Sequence, residues 1–164
     1  MDDNANLIVP RLWLGNRAAS VDPEFLSRHN ITVVFNCTKD LPFAPQIPTK
    51  IRVPVDDNLA PSELDNMAHW APEIIYKLVR AYNQGHTILV HCFAGMQRSA
   101  AVVAMFLIAM SQMTTDEAIR FIRVRRLIAF FTGVNFRRSI DSFEKQYRVA
   151  IHKSRTQRPM DSGH

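Results

Sequence analysis

Cys92 and Arg98 stand with five residues between them in the run His91-Cys92-Phe93-Ala94-Gly95-Met96-Gln97-Arg98-Ser99. Ile88-Leu89-Val90 before the run reads as a short buried strand, and the apolar stretch Ala100 to Met110 after it reads as a helix. A loop joining such a strand to such a helix turns successive backbone N–H groups inward. Together with the positive end of the helix dipole they form a cradle for a tetrahedral dianion. Phe93, Ala94, Gly95, Met96 and Gln97 supply that backbone. Arg98, in the first helical turn, can fold its planar fork over two oxygens of the anion. The field that holds the anion also stabilises a thiolate, so Cys92 at the floor is a candidate nucleophile. Gly95 allows a backbone conformation or a close approach that a Cβ would obstruct. Ser99 places a hydroxyl within reach of the sulfur.

The pattern His-Cys-x5-Arg-Ser resembles the signature of the cysteine-dependent protein phosphatases. The Ala94-Gly95 pair and the Arg98-Ser99 ending are most similar to the dual-specificity branch, and Arg11-Leu12-Trp13-Leu14-Gly15 resembles that branch's Leu-Tyr-Leu-Gly start, with Trp for Tyr. The resemblance runs from Leu12 to about Phe143. It departs at Met96-Gln97, where Ile-Ser is commoner. It departs again at Thr132-Gly133-Val134-Asn135-Phe136, which keeps the Phe of the family's Pro-Asn-x-x-Phe and shifts or loses its Asn.

The resemblance implies metal-free hydrolysis of phosphotyrosine and phosphoserine or phosphothreonine on protein substrates. Cys92 would attack phosphorus to give a phosphocysteine intermediate, dividing one hard step into two. The amides from Phe93 to Arg98 and the Arg98 guanidinium would hold the equatorial oxygens. Ser99 would assist departure of the thiolate, and His91 would either tune it through the loop or serve only in packing. The resemblance also puts a general acid in Val53-Pro54-Val55-Asp56-Asp57-Asn58, at Asp57, with Asp56 the competitor one position away. Two other readings stay open: an RNA 5′-phosphatase of the same chemistry, and a phosphate-binding adaptor without turnover. No cofactor is implied, and no Cys/His spacing fits a zinc site.

The elements that must position these groups are legible in the apolar pattern. With 164 residues, 47% hydrophobic and 21% charged, the chain has the size of one globular domain, expected over residues 1–151 with a polar, basic tail over 152–164. Short strands are expected at Leu7–Val9, Leu12–Leu14, Ile31–Asn36, Ile51–Val55 and Thr87–His91, the fourth at a sheet edge because Pro54 lacks an N–H. Asp22 and Pro23 read as the cap and first residue of a short helix through Arg28. A stripe from Glu63 to Tyr82 has helical period, interrupted by Pro72, where the helix kinks or a second begins. Thr114 to Glu117 has capping-box spacing and starts a helix through Arg125; a last amphipathic helix is expected from about Asn135 to Ala150. Strands alternating with helices give an α/β class: a central, mostly parallel twisted sheet flanked by helices, like that of the protein tyrosine phosphatases.

The net charge is +5, and from Arg120 to Arg158 eleven Lys or Arg face two acids, Asp141 and Glu144. That third of the chain is a wet helix face and tail or an attractor of acidic partners. Arg123, Arg125, Arg126, Phe130 and Phe131 either border the site or serve as solvated face and core. Cys37 is expected to pack in the core, with a role as resolving thiol the minor alternative. The N-terminus lacks the basic-then-apolar pattern of a signal peptide and no apolar run is of membrane-spanning length. An intracellular location, cytoplasmic or nuclear, no membrane partner, and a monomer or homodimer are expected.

Overall fold

The structure, a computed structural model, describes residues 3–157. Five strands, β1 (Ala5–Val9), β2 (Leu12–Gly15), β3 (Val33–Asn36), β4 (Thr49–Arg52) and β5 (Ile88–His91), form one sheet in the order β1-β2-β5-β3-β4. β1 and β2 are antiparallel; every other pairing is parallel. Six helices complete the described chain: α1 (Arg17–Ser20), α2 (Pro23–Arg28), α3 (Pro61–Asn83), α4 (Arg98–Ser111), α5 (Thr115–Arg125) and α6 (Arg137–Gln157).

The continuous apolar runs of β3 and β5 reflect burial on both faces, as a central parallel strand requires. Val33, Phe35, Ile88 and Val90 join one core with α3 to α6, whereas Val34 and Leu89 point into a second core with Phe25 and Leu26 of α2. Between α3, α5 and α6 runs α4, buried from Ser99 to Ile108, so its apolar surface all round has partners on every side. No single helix among the described residues is long and apolar enough to cross a membrane.

Local capping follows the residue types. Asp22 accepts from the N–H groups of Glu24 and Phe25 at the start of α2, with Pro23 in the first turn. Thr114 accepts from Glu117 N at 3.1 Å and starts α5. Pro72 lies inside α3, which continues as one helix of 23 residues, so no second helix begins there.

Several element ends differ from the sequence reading by one or two residues, as where β3 starts at Val33 rather than Ile31, and three departures go further. β4 begins at Thr49 and ends at Arg52 rather than spanning Ile51–Val55: Val53 N still bonds Asn36 O at 2.8 Å, but Pro54 has no N–H to continue the ladder. The four-residue α1, capped by Asn16, is too short to show periodicity and was not expected from the sequence. α6 runs seven residues past Ala150, because helical hydrogen bonds continue where the apolar stripe stops. Residues 152–157 of the expected tail therefore belong to the helix; 158–164 lie outside the described residues.

Candidate active site

β5 lies in the middle of the sheet, between β2 and β3, and the chain leaves its carboxyl end at Cys92. Ligands of parallel sheets collect at this edge, where loops meet helix N-termini. The loop from Cys92 to Gln97 then enters α4 at Arg98.

Five successive carbonyls of this loop have bonds leading away from its concave side. Cys92 O accepts from His91 Nδ1 at 3.3 Å, and Phe93 O accepts from Arg17 N at 3.1 Å. Ala94 O and Gly95 O both accept from Arg126, from Nη2 at 3.1 Å and Nε at 2.8 Å. Met96 O accepts from Phe130 N at 2.8 Å. In a planar trans peptide the C=O and the following N–H point in opposite directions. Fixing these carbonyls outward therefore turns the N–H groups of residues 93 to 97 toward the cleft that Cys92 floors. Gly95 makes the curvature feasible: its φ is +67°, and a Cβ there would meet Gly15 O at 2.5 Å and Arg126 Nη2 at 2.8 Å. Gln97 occupies the N-cap position of α4 without capping it, leaving the helix's first N–H groups to a ligand.

Cys92 is 3% exposed, and its Sγ stands 3.0 Å from Ser99 Oγ. His91 is fully buried; burial lowers its pKa to about 4, with the charges of Arg52 and Arg98 adding to the effect, so the ring is neutral. Arg98 Nη1 donates to Val55 O at 3.0 Å, bringing the guanidinium across to the loop that follows β4. Cys37 is buried at the end of β3, where burial and the neighbouring charge of Cys92 push its thiol pKa well up.

The two candidate acids have different surroundings. Asp57 lines the same cleft as Cys92 and Arg98, and its Oδ1 accepts from Asn135 Nδ2 at 2.9 Å. Asp56 turns away to Lys39, with Nζ and Oδ2 3.1 Å apart. Lys39 also meets Glu63 at 2.8 Å and holds that carboxyl below its ordinary range.

Four contributions are absent from the sequence reading. Arg126, 1% exposed, is neither cleft border nor solvated face; it lies beneath the cradle and aligns two of its carbonyls. Gln97, expected only as cradle backbone, also latches the opposite wall through its side chain. It donates to Gly133 O at 2.8 Å and accepts from Asn135 N at 3.0 Å. Asn135, read as shifted or lost, holds Asp57. Glu63 accepts from Asp56 N at 2.8 Å. Phe131 is on the cleft wall and Phe130 in the core, whereas Arg123 caps Phe130 O and Arg125 stacks on Phe121. Among the described residues no group of three His, Cys, Asp or Glu could hold a metal ion.

A β5–loop–α4 unit of this geometry, floored by a cysteine on a mostly parallel sheet, is of the class built to hold a tetrahedral anion. The family profile described as "Dual specificity phosphatase, catalytic domain" matches residues 12–146, and the chain belongs to that family. Dual specificity protein phosphatase Mpk3 of Drosophila melanogaster is 31% identical over 87% of this chain and 34% of its own length. Dual specificity protein phosphatase 1 of Arabidopsis thaliana is 29% identical over 91% of this chain and 74% of its own. The crystal structure of human DUSP28 superposes with a TM-score of 0.77 at 26% identity, covering 88% of this chain and 95% of that one. The fold is thus the phosphatase fold that the sequence resemblance implied. The chain spans 21% and 34% of the lengths of the first two curated relatives.

Proposed function

We propose that this chain hydrolyses phosphate monoesters on protein tyrosine and serine or threonine side chains through a phosphocysteine intermediate. The observation that carries this reading is the joint geometry of Cys92 and Ser99, 3.0 Å apart beneath five inward-turned peptide N–H groups, with Arg98 and Asp57 on the same cleft. Cys92 thiolate attacks phosphorus as the P–O bond to the substrate breaks, and Asp57 gives its proton to the departing oxygen. Water then attacks phosphorus, giving a proton to the Asp57 carboxylate. The S–P bond breaks, and the thiolate leaves with the Ser99 hydroxyl donating to it. The cradle amides and Arg98 hold the three equatorial oxygens through both steps. Donors fixed in advance in this way contribute on the order of 3–4 kcal/mol each to acyl-transfer catalysis, the best-measured parallel. His91, neutral and bonded to Cys92 O, orients the loop rather than moving a proton.

Turnover should be compared on a phosphotyrosine peptide, a doubly phosphorylated Thr/Tyr peptide and 5′-triphosphorylated RNA, with Cys92→Ser and Asp57→Asn as controls. The expected result is peptide turnover that Cys92→Ser abolishes while vanadate still binds. Asp57→Asn should slow poor leaving groups by roughly 10²–10⁴ and a nitrophenolate far less. Preferential release of phosphate from RNA, or binding with no turnover of any substrate, overturns the proposal.

A further inference from the structure

The loop from Val53 to Ala60 carries Asp57 and has no helix or strand of its own. Its backbone is nevertheless tied at three consecutive residues before Asp57. Pro54 O accepts from Asn66 Nδ2 at 2.9 Å, Val55 O from Arg98 Nη1 at 3.0 Å, and Asp56 N donates to Glu63 Oε2 at 2.8 Å. Glu63 joins these ties. Its Oε1 meets Lys39 Nζ at 2.8 Å, and its Oε2 lies 3.5 Å from Asn66 Nδ2, the donor that holds Pro54. At 9% exposure it is a nearly buried carboxylate, which persists in a fold only when its oxygens are partnered. It stands in the first turn of α3, directly after the loop, so a rigid helix fixes its position. Lys39 brings the same carboxylate together with Asp56, which draws the Asp56 side chain outward. The next residue, Asp57, lines the cleft together with Cys92.

We propose that Glu63, with Asn66, is the positioning residue of the proton-transfer step: it pins the Asp56 peptide so that Asp57 stands over the cleft. This rests on the phosphatase reading above and adds to it a residue that touches neither substrate nor reacting atoms.

The test compares 4-nitrophenyl phosphate, whose leaving group departs without a proton, with phenyl phosphate, whose leaving group needs one. Glu63→Ala should lower kcat/KM, which reports only the steps up to departure of the leaving group, on the order of 10–100-fold for phenyl phosphate, with less than about a threefold change for the nitrophenyl ester. In the Asp57→Asn background the same substitution should add no further loss of kcat/KM. Glu63→Gln, whose amide oxygen can keep the Asp56 N bond, should recover most of the phenyl phosphate rate. Should Glu63→Ala fail to fold, Asn66→Ala, which frees Pro54 O, should show the same split between esters. An equal loss on both esters, or losses that multiply with Asp57→Asn, overturns the role of Glu63. Absence of nitrophenyl phosphate turnover by the unaltered chain overturns the phosphatase reading itself.

Discussion

Arg126 offers the sharpest test of how the cradle is built. Its Nε and Nη2 hold Gly95 O and Ala94 O, while Nη1 reaches Asn6 Oδ1 at 2.8 Å and Asp3 O at 3.1 Å. Arg126→Met keeps much of the stem's volume and removes these four bonds. Each orphaned buried acceptor costs about 1–3 kcal/mol, offset in part by the guanidinium that is no longer desolvated. A net loss of about 2–4 kcal/mol in urea unfolding is expected. The catalytic loss should be larger than stability explains. With Ala94 O and Gly95 O released, the N–H groups of Gly95 and Met96 are free to swing off the anion. One misdirected donor lowers kcat/KM by roughly 10²–10³. Arg126→Lys should fall between, because a single ammonium is a point donor and cannot span two carbonyls and Asn6 as a planar fork does. The assay is kcat/KM for 4-nitrophenyl phosphate on fully folded protein, with vanadate inhibition as an independent reading of the cradle. Arg126→Met that stays folded and keeps kcat/KM and vanadate affinity within threefold refutes the reasoning.

Gly95→Ala places a Cβ 2.5 Å from Gly15 O at a φ of +67°. Backbone strain alone costs about 1–3 kcal/mol, so a lower urea midpoint and weaker vanadate binding are expected; unaltered vanadate affinity refutes the close approach. His91 gives a pH dependence of definite sign. Burial lowers its pKa to about 4, whereas an unfolded imidazole titrates near ~6.5. The unfolded chain binds the extra proton between those values, so stability present above that range is lost as pH falls through it. From pH 7 to pH 5 the loss is about 2 kcal/mol, and His91→Asn should remove that increment from the urea-unfolding curve; an unchanged pH slope in the variant refutes it.

Much of the site was legible because its signals are local. A strand, a nucleophile, a glycine and an arginine fall within a dozen residues, and hydrophobic period supplies the strand and the helix around them. The caps at Asp22 and Thr114 are local in the same sense, each settled by a side chain and an N–H two or three residues away. The preference for Asp57 over Asp56 came from the family resemblance alone, since the two acids are adjacent and of one type. What separates them in the fold is Lys39 on one side and Asn135 on the other, far away in the chain. Asn135 escaped the family pattern because it stands directly before Phe136 rather than three residues before it, yet Gln97 fixes its backbone from inside the cradle. Arg126 was hidden among arginines that do face water, and no periodicity separates a buried guanidinium from an exposed one one residue earlier.

These long-range ties bear on how the anion site comes into being. The cradle's outward carbonyls are bonded by Arg17 from the N-terminal part of the chain, by Arg126 and Phe130 from beyond α5, and by its own histidine. Arg126 in turn grips Asn6 in β1, so the first strand and the end of α5 are joined through the loop between them. The local run from His91 to Ser99 supplies the donors but not their direction. Direction comes only when β1, α1 and the α5 end have docked, which makes anion affinity a property of the completed fold. The nucleophile is therefore matched to its clamp by packing that draws on β1, α1 and the end of α5, and substitutions well outside the signature should weaken the site without touching an atom of it.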